Sequence, residues 1–206
     1  LATSSTRSAT LVTIYDSLGE KRYTWTSSGM VSAVALSSDA RHAAVSVLSS
    51  SGGGIVTTVY LLDLTNPDPQ KPNFMLEIPD EFGYDIYFQG SYVTLLTDQW
   101  VKSFDSGGKT RQSYIFDGRQ LMLSRHTSNG TVLALGNEQY MRGTQIVTLD
   151  SRCREEGSIT LEHGVDALMT GDQGFYLLSE SVVTHYDSTC QELSSTKAPG
   201  AIVCLP

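Results

Sequence analysis

The sequence predicts an all-β fold: a β-propeller of four-stranded antiparallel blades, with about five blades' worth of chain. Three observations predict it. One phrase, an alternating strand closed by aspartate, recurs along the whole of the 206 residues. Its spacing is that of a propeller blade. Between successive copies there is room for two more short strands bounded by turn residues, and no window reads as a long amphipathic helix.

The phrase is written IYDSLG at 14–19, LLDLTN at 61–66, SFDSGG at 103–108, TLDSRC at 148–153 and HYDSTC at 185–190. Its aspartates, Asp16, Asp63, Asp105, Asp150 and Asp187, stand 47, 42, 45 and 37 residues apart, and Ser follows four of the five. Runs such as Leu11–Tyr15 and Gln145–Leu149 lead into them with strand-like alternation. An aspartate there accepts a hydrogen bond from its own backbone two residues on and starts a tight turn. Three residues after each aspartate stand Gly19, Asn66, Gly108, Cys153 and Cys190. Glycine and asparagine tolerate the positive φ of hairpin turns, which marks Gly19 and Gly108 as permissive positions. The two cysteines depart from this pattern and predict turns of another type.

If the strand before each turn is C and the strand after it D, every unit reads A-B-C-D. The N-terminus supplies a B-like piece at 1–3, then C at 9–15 and D at 22–26. Unit 29–80 opens with a hairpin, 31–36 and 42–48 around SSDAR; Ser50 to Gly54 reads as a flexible loop before its C strand. Unit 81–118 has strands 84–88 and 92–96 around Gln89-Gly90-Ser91, then 112–116 as D. Unit 119–163 has 121–124 and 131–135 around a turn with Asn129-Gly130, a hairpin signal. Unit 164–199 has 165–169 and 175–178 around GDQG. The last segment, 200–206, supplies an A-like strand at 201–205, which with 1–28 makes one more blade. The chain is thus read as a single propeller domain, 1–206, of about 41 residues per blade. It is either a closed five-bladed propeller or part of a larger one, and the sequence leaves both open.

Composition limits the function classes. Hydrophobic residues make up 40% and charged residues 17%, a globular balance, and the formal charge is −8. A negative surface repels phosphate backbones, and no Lys/Arg cluster offsets this, so nucleic acid is not expected as a partner. No run of about 18 apolar residues is present to span a membrane. The chain starts at Leu1 with no visible signal peptide, so a removed upstream signal or anchor is an expectation. Three widely spaced cysteines, Cys153, Cys190 and Cys204, form neither a disulfide framework nor a zinc knuckle and read as small buried thiols.

Gly108-Lys109-Thr110 resembles the end of a phosphate-binding loop. The motif G-x-x-x-x-G-K-[ST] needs glycine at 103, where Ser103 stands, and a following helix, where a strand is expected. His42, His126, His163 and His185 lack metal-ligand spacing and read as structural or surface residues. Asp80, Glu81, Asp85 and Asp166 fall near D-to-A crossings, where a ring of carboxylates can hold a cation, but no contiguous calcium loop is written and solvated rim positions are the expectation. No G-x-S-x-G elbow is present. No catalytic, cofactor-binding or metal-binding residue is therefore assigned.

YDSLGEKRYTW, Tyr15 to Trp25, resembles the blade signature of quinoprotein-like propellers: Asp16, Gly19 three later, Trp25 nine later. The resemblance implies that Trp25 docks on the neighbouring blade, and more loosely that Tyr114 does. LSSDARHAAVSV, 36–47, resembles the A-B hairpin of WD-like propellers, with Ser38 and Ala40 in place of Pro and Gly. The order of these phrases is similar to a bacterial propeller family of unknown function whose longer members carry an N-terminal membrane anchor; this chain resembles their C-terminal part. That resemblance implies an extracytoplasmic, membrane-anchored or cell-surface setting and brings no activity or cofactor. Two functions are carried forward. The favoured one is a non-enzymatic binding or scaffold propeller for a protein or glycan partner. The alternative is a propeller enzyme with its site at the central channel mouth.

Overall fold

The computed structural model describes residues 2–5, 9–66, 68, 70–127, 129–136 and 143–198. Among them nineteen strands form five antiparallel sheets, and no helix occurs. The chain divides into two compact units, Leu1–Arg111 and Gln112–Pro206.

In the first unit, β1 (Ala2–Ser5), β2 (Thr10–Tyr15) and β3 (Lys21–Ser27) make a three-stranded sheet. Next come β4 (Met30–Leu36), β5 (His42–Ser51), β6 (Gly54–Asp63) and β7 (Phe74–Pro79), ordered β4-β5-β6-β7. The third sheet, ordered β8-β9-β10-β11, contains β8 (Gly83–Gln89), β9 (Tyr92–Thr97), β10 (Trp100–Phe104) and β11 (Thr110–Ile115), the last of which runs past the unit's end at Arg111. In the second unit, β12 (Gln120–His126), β13 (Gly130–Gly136), β14 (Thr144–Asp150) and β15 (Glu155–Leu161) form one sheet in chain order. β16 (Ala167–Gly171), β17 (Gly174–Ser179), β18 (Val182–Tyr186) and β19 (Glu192–Lys197) form the other. Each four-stranded sheet is a meander A-B-C-D, the blade of a β-propeller. The expected strand at 201–205 lies outside the described residues.

The middle strands carry the core because they are covered on both faces. Ala43, Ala44, Val45, Leu62 and Val59 are fully buried in β5 and β6, whereas β19 is exposed along its length. One apolar layer joins the first sheet to the second through Val12, Trp25, Val45 and Leu62. A second joins the second sheet to the third through Leu61, Phe74, Ile86 and Phe104. In the other unit, Ile146, Leu168, Phe175 and Cys190 build the equivalent layer between its two sheets.

Three expectations are corrected. Ser50 to Gly54 is not a loop: Ser49, Ser50 and Ser51 pair with Val56, Ile55 and Gly54, so β5 and β6 run on to a two-residue turn. Gly52 (φ 62) and Gly53 (φ 88) fill its centre, the double positive φ of a type I′ hairpin that suits strand twist. The cysteine turns are also not of another type. Cys153 (φ 58) and Cys190 (φ 63) hold the same left-handed conformation as Gly19 and Gly108, both at φ 79. Each thiol is buried, 2% and 5% exposed, so packing offsets the local cost of a Cβ at positive φ. The A strand of the last blade also begins later than expected, at Ala167 rather than Val165.

Candidate functional site

Four of the repeated aspartates build one turn. The backbone N–H of Asp16, Asp105, Asp150 and Asp187 donates to the carbonyl four residues on, and each carbonyl accepts from the N–H three residues on. One carboxylate oxygen, Oδ1, accepts from the amides at positions two and four after the aspartate, at 2.8–3.0 Å. Two amides on one oxygen favour the charged form. Asp16, Asp105 and Asp187 are accordingly held below the usual carboxylate range, first by the amides of Glu20, Lys109 and Gln191 respectively. At Asp150 burial pushes upward, but the amide and side chain of Arg154 and the amide of Arg152 outweigh it. Asp63 differs: its Oδ1 takes the amide and hydroxyl of Thr65, at 2.8 and 2.7 Å.

The second oxygen separates the turns. Asp16 Oδ2 meets Arg22 at 2.7 Å, Asp105 Oδ2 meets Arg111 at 2.6 Å, and Asp150 Oδ2 meets Arg154 at 2.5 Å. The register of β2 and β3 steps from Ile14↔Tyr23 to Tyr15↔Lys21, leaving Arg22 as a bulge residue turned to the aspartate. β18 and β19 make the same step, from His185↔Ser194 to Tyr186↔Glu192, so Leu193 stands at the bulge. Among the described residues Asp187 Oδ2 has no cation.

Asp187 sits at the edge of a cleft of about 320 Å³ between the two sheets of the second unit, at the end carrying their A-B and C-D turns. Glu156, the bulge residue of β15, lines it with Asp172 and Gln173 of the β16–β17 turn and with Ser188. The cleft's shape depends on close approach. Thr148 Oγ1 donates to the Ser188 carbonyl at 2.6 Å, and a Cβ on Gly157 would lie 2.4 Å from the Thr189 carbonyl oxygen. Phe175, fully buried, lies beneath and stacks on Tyr186 at 5.3 Å. Among the described residues the lining holds three carboxylates and no Lys, Arg or His. At the opposite end of these sheets an open depression of about 970 Å³ is lined by Leu161, His163, Asp166 and Glu180, with His163 Nδ1 and Glu180 Oε1 at 3.1 Å.

The other residues singled out in the sequence are dispersed. Lys109 leads from the Asp105 turn into β11, a strand. Trp25, 3% exposed, lies against Tyr60 of β6, and Tyr114 carries the Arg119 guanidinium 5.9 Å from its ring centre. Arg119 also bonds Gln145 of β14. His42 opens β5, His126 closes β12, and His185 stacks on Tyr176 at 4.3 Å. Glu81 accepts from Thr97 Oγ1 at 3.1 Å, while the Asp80 N–H donates to the Ile55 carbonyl at 2.8 Å. Among the described residues no three of His, Cys, Asp and Glu cluster to hold a metal, and no helix is long and apolar enough to cross a membrane. Sequence reasoning missed Glu156, Asp172 and Leu193. The signal for them is the arginine at position four or six after Asp16, Asp105 and Asp150, which is absent after Asp63 and Asp187.

Blade meanders, repeated C-D turns and inter-sheet apolar layers define a β-propeller. Solved structures agree on the fold. The chain is similar to BamB from Moraxella catarrhalis, at 14% identity over 96% of this chain and 61% of that one, with a TM-score of 0.61. It is also similar to the WD40 β-propeller domain of Doa1, at 14% identity over 91% of this chain and 62% of that one, TM-score 0.59. The Dos1 propeller matches at 14% identity over 92% of this chain and 53% of that one, TM-score 0.58. The chain therefore spans about three fifths of the first two and about half of the third. No family model matches the sequence, and no curated protein does.

Proposed function

We propose that this chain is a non-enzymatic scaffold propeller that binds a protein partner in an extracytoplasmic setting. The observation that carries the reading is the cleft of the second unit, where Asp187 is held ionised below the usual carboxylate range, first by the Gln191 amide. A general acid needs a carboxyl pushed up towards neutrality. The Asp187 Oδ1 already accepts from the Thr189 amide and hydroxyl and the Gln191 amide, so the group is committed to its turn and offers Oδ2 as a fixed negative charge suited to recognition. The propeller fold supports many functions, so the reading rests on this site and not on the fold. The extracytoplasmic setting rests on the resemblance of the blade phrases to membrane-anchored propellers. The reading also takes 1–206 as one propeller domain.

The test is affinity capture from a cell envelope by the immobilised chain, followed by reconstitution with the purified captured protein. A saturable complex of fixed stoichiometry is expected. Turnover of a small substrate by the purified chain, lost when Asp80, Glu81, Asp85 or Asp166 is changed to the amide, would instead establish the enzyme. Capture that a soluble glycan competes away would replace protein by glycan as the partner class.

A further inference from the structure

Asp187 repeats a turn that elsewhere ends in an ion pair. Asp16, Asp105 and Asp150 each satisfy two amides with Oδ1 and an arginine with Oδ2. Asp187 satisfies the two amides in the same way, at 2.9 Å each, and its Oδ1 also accepts from the Thr189 hydroxyl at 2.8 Å. Its position four is Gln191 and its position six is Leu193, 52% exposed at the bulge that in β3 carries Arg22. The carboxylate of this turn borders a cleft between two sheets, and among the described residues the cleft adds Glu156 and Asp172 with no cation in its lining. A cleft of about 320 Å³ exceeds the volume of one arginine side chain and falls in the size range of small-ligand pockets.

We infer that this cleft is an arginine-binding site, in which a guanidinium from a partner protein completes on Asp187 Oδ2 the ion pair that the three sister turns make within the chain. The inference rests on the protein-binding reading and names the chemistry of the partner. Guanidinium is favoured over ammonium because its planar fork donates two parallel hydrogen bonds, one set to Asp187 and another available to Glu156 or Asp172. The hydroxyls and amides of Ser188 and Gln173 suit the polar flanks of a peptide. The chain's charge of −8 favours approach of a basic partner.

The experiment is an NMR amide titration of the full chain with N-acetyl-arginine amide at low salt, against N-acetyl-citrulline amide as the uncharged isostere. Shifts are expected at Ser188, Glu156 and Gly174 with arginine and not with citrulline. Asp187→Asn is expected to weaken binding by about tenfold. Leu193→Arg supplies the missing arginine within the chain and is expected to abolish binding while raising the thermal midpoint. If Asp187→Asn fails to fold, Glu156→Gln and Leu193→Arg carry the test. Absence of cleft shifts with wild type, or shifts that persist undiminished in Leu193→Arg, overturns the inference. A partner complex that forms equally well with Leu193→Arg, with no arginine shifts, leaves the protein-binding reading standing and removes the cleft from it.

Discussion

Trp25 and Tyr60 lie with ring centres 4.8 Å apart and planes at 55°, joining β3 of the first sheet to β6 of the second. Trp25 is 3% exposed, among Val12, Val45 and Leu62. Truncation to alanine removes a large apolar side chain from a layer that cannot close around the void. Trp25→Ala is expected to cost about 3–5 kcal/mol, and Trp25→Phe distinctly less. Urea unfolding followed by far-UV circular dichroism measures both. Equal midpoints for wild type and Trp25→Ala would remove the docking role.

Close approach at the cleft gives a second expectation. Gly157 faces the Thr189 carbonyl oxygen at 2.4 Å from a would-be Cβ, and that neighbour is backbone with nowhere to go. Gly157→Ala is expected to cost about 2–4 kcal/mol by forcing the sheets apart. Gly19 is the control. It has φ +79 with open space around it, so Gly19→Ala strains the backbone alone, for about 1–2 kcal/mol. A larger loss at Gly19 than at Gly157 would show that the inter-sheet contact is soft.

Acid should act through the turns. Asp16, Asp105 and Asp187 sit below the usual range because of backbone amides first, and Asp150 does so despite burial because the Arg154 amide and side chain prevail. A depressed folded-state pKa means that the folded chain binds the proton less readily than the unfolded one. The stabilisation is therefore complete above the ordinary carboxylate pKa of about 4 and is lost as pH falls through the depressed values. The thermal midpoint is expected to be flat from pH 7 to about 5 and to fall below about 4. A variant with Asp16, Asp105 and Asp150 changed to Asn should show a shallower acid limb. An unchanged limb would assign acid unfolding to other carboxylates.

What was legible in the sequence was local. Aspartate followed by serine at a strand end carries its own turn chemistry, so the repeat and the blade emerged from residue types alone. The cysteine turns escape the local φ rule because Cys190 is buried with Leu168 and Phe175 of its own blade and Ile146 of the preceding one, a packing that no single turn displays. The serine-glycine run departs from its composition in the opposite direction. Its composition suggests flexibility, yet Gly52-Gly53 is also a type I′ pair, and strand pairing through three serines decides between the two. The cleft was not legible, because Glu156 and Asp187 come to line one space only when two sheets pack. The meaning of Leu193 depends on a bulge that no single strand displays.

The same turn supplies a stabilising substitution. Gly52 at φ 62 occupies the first centre of the β5–β6 hairpin, where asparagine also fits and Gly53 follows as the preferred partner. Gly52→Asn restricts the unfolded chain without straining the folded one, for an expected gain of about 0.5 kcal/mol. Gly52→Val, β-branched at positive φ, should lose stability instead. The two urea midpoints should therefore lie on opposite sides of wild type.

Cys190 tests how packing and backbone strain trade within one residue. It holds φ 63, is 5% exposed, and places its sulfur 3.7 Å from Thr148 Oγ1 in the preceding sheet. Burial raises its thiol pKa, with the Thr148 hydrogen bond opposing, so the group remains a neutral space-filler near neutral pH. Cys190→Gly relieves a left-handed cost of about 1–2 kcal/mol but empties the side-chain site, losing about 1 kcal/mol of burial with a further cavity term. The two nearly cancel, so the midpoint should move little. Cys190→Val keeps the apolar volume and adds a β-branch where φ is positive, so it should lose about 2 kcal/mol or more. If valine proved as stable as cysteine while glycine proved much worse, packing alone would govern the position, and the left-handed turn would be a consequence of the docked thiol.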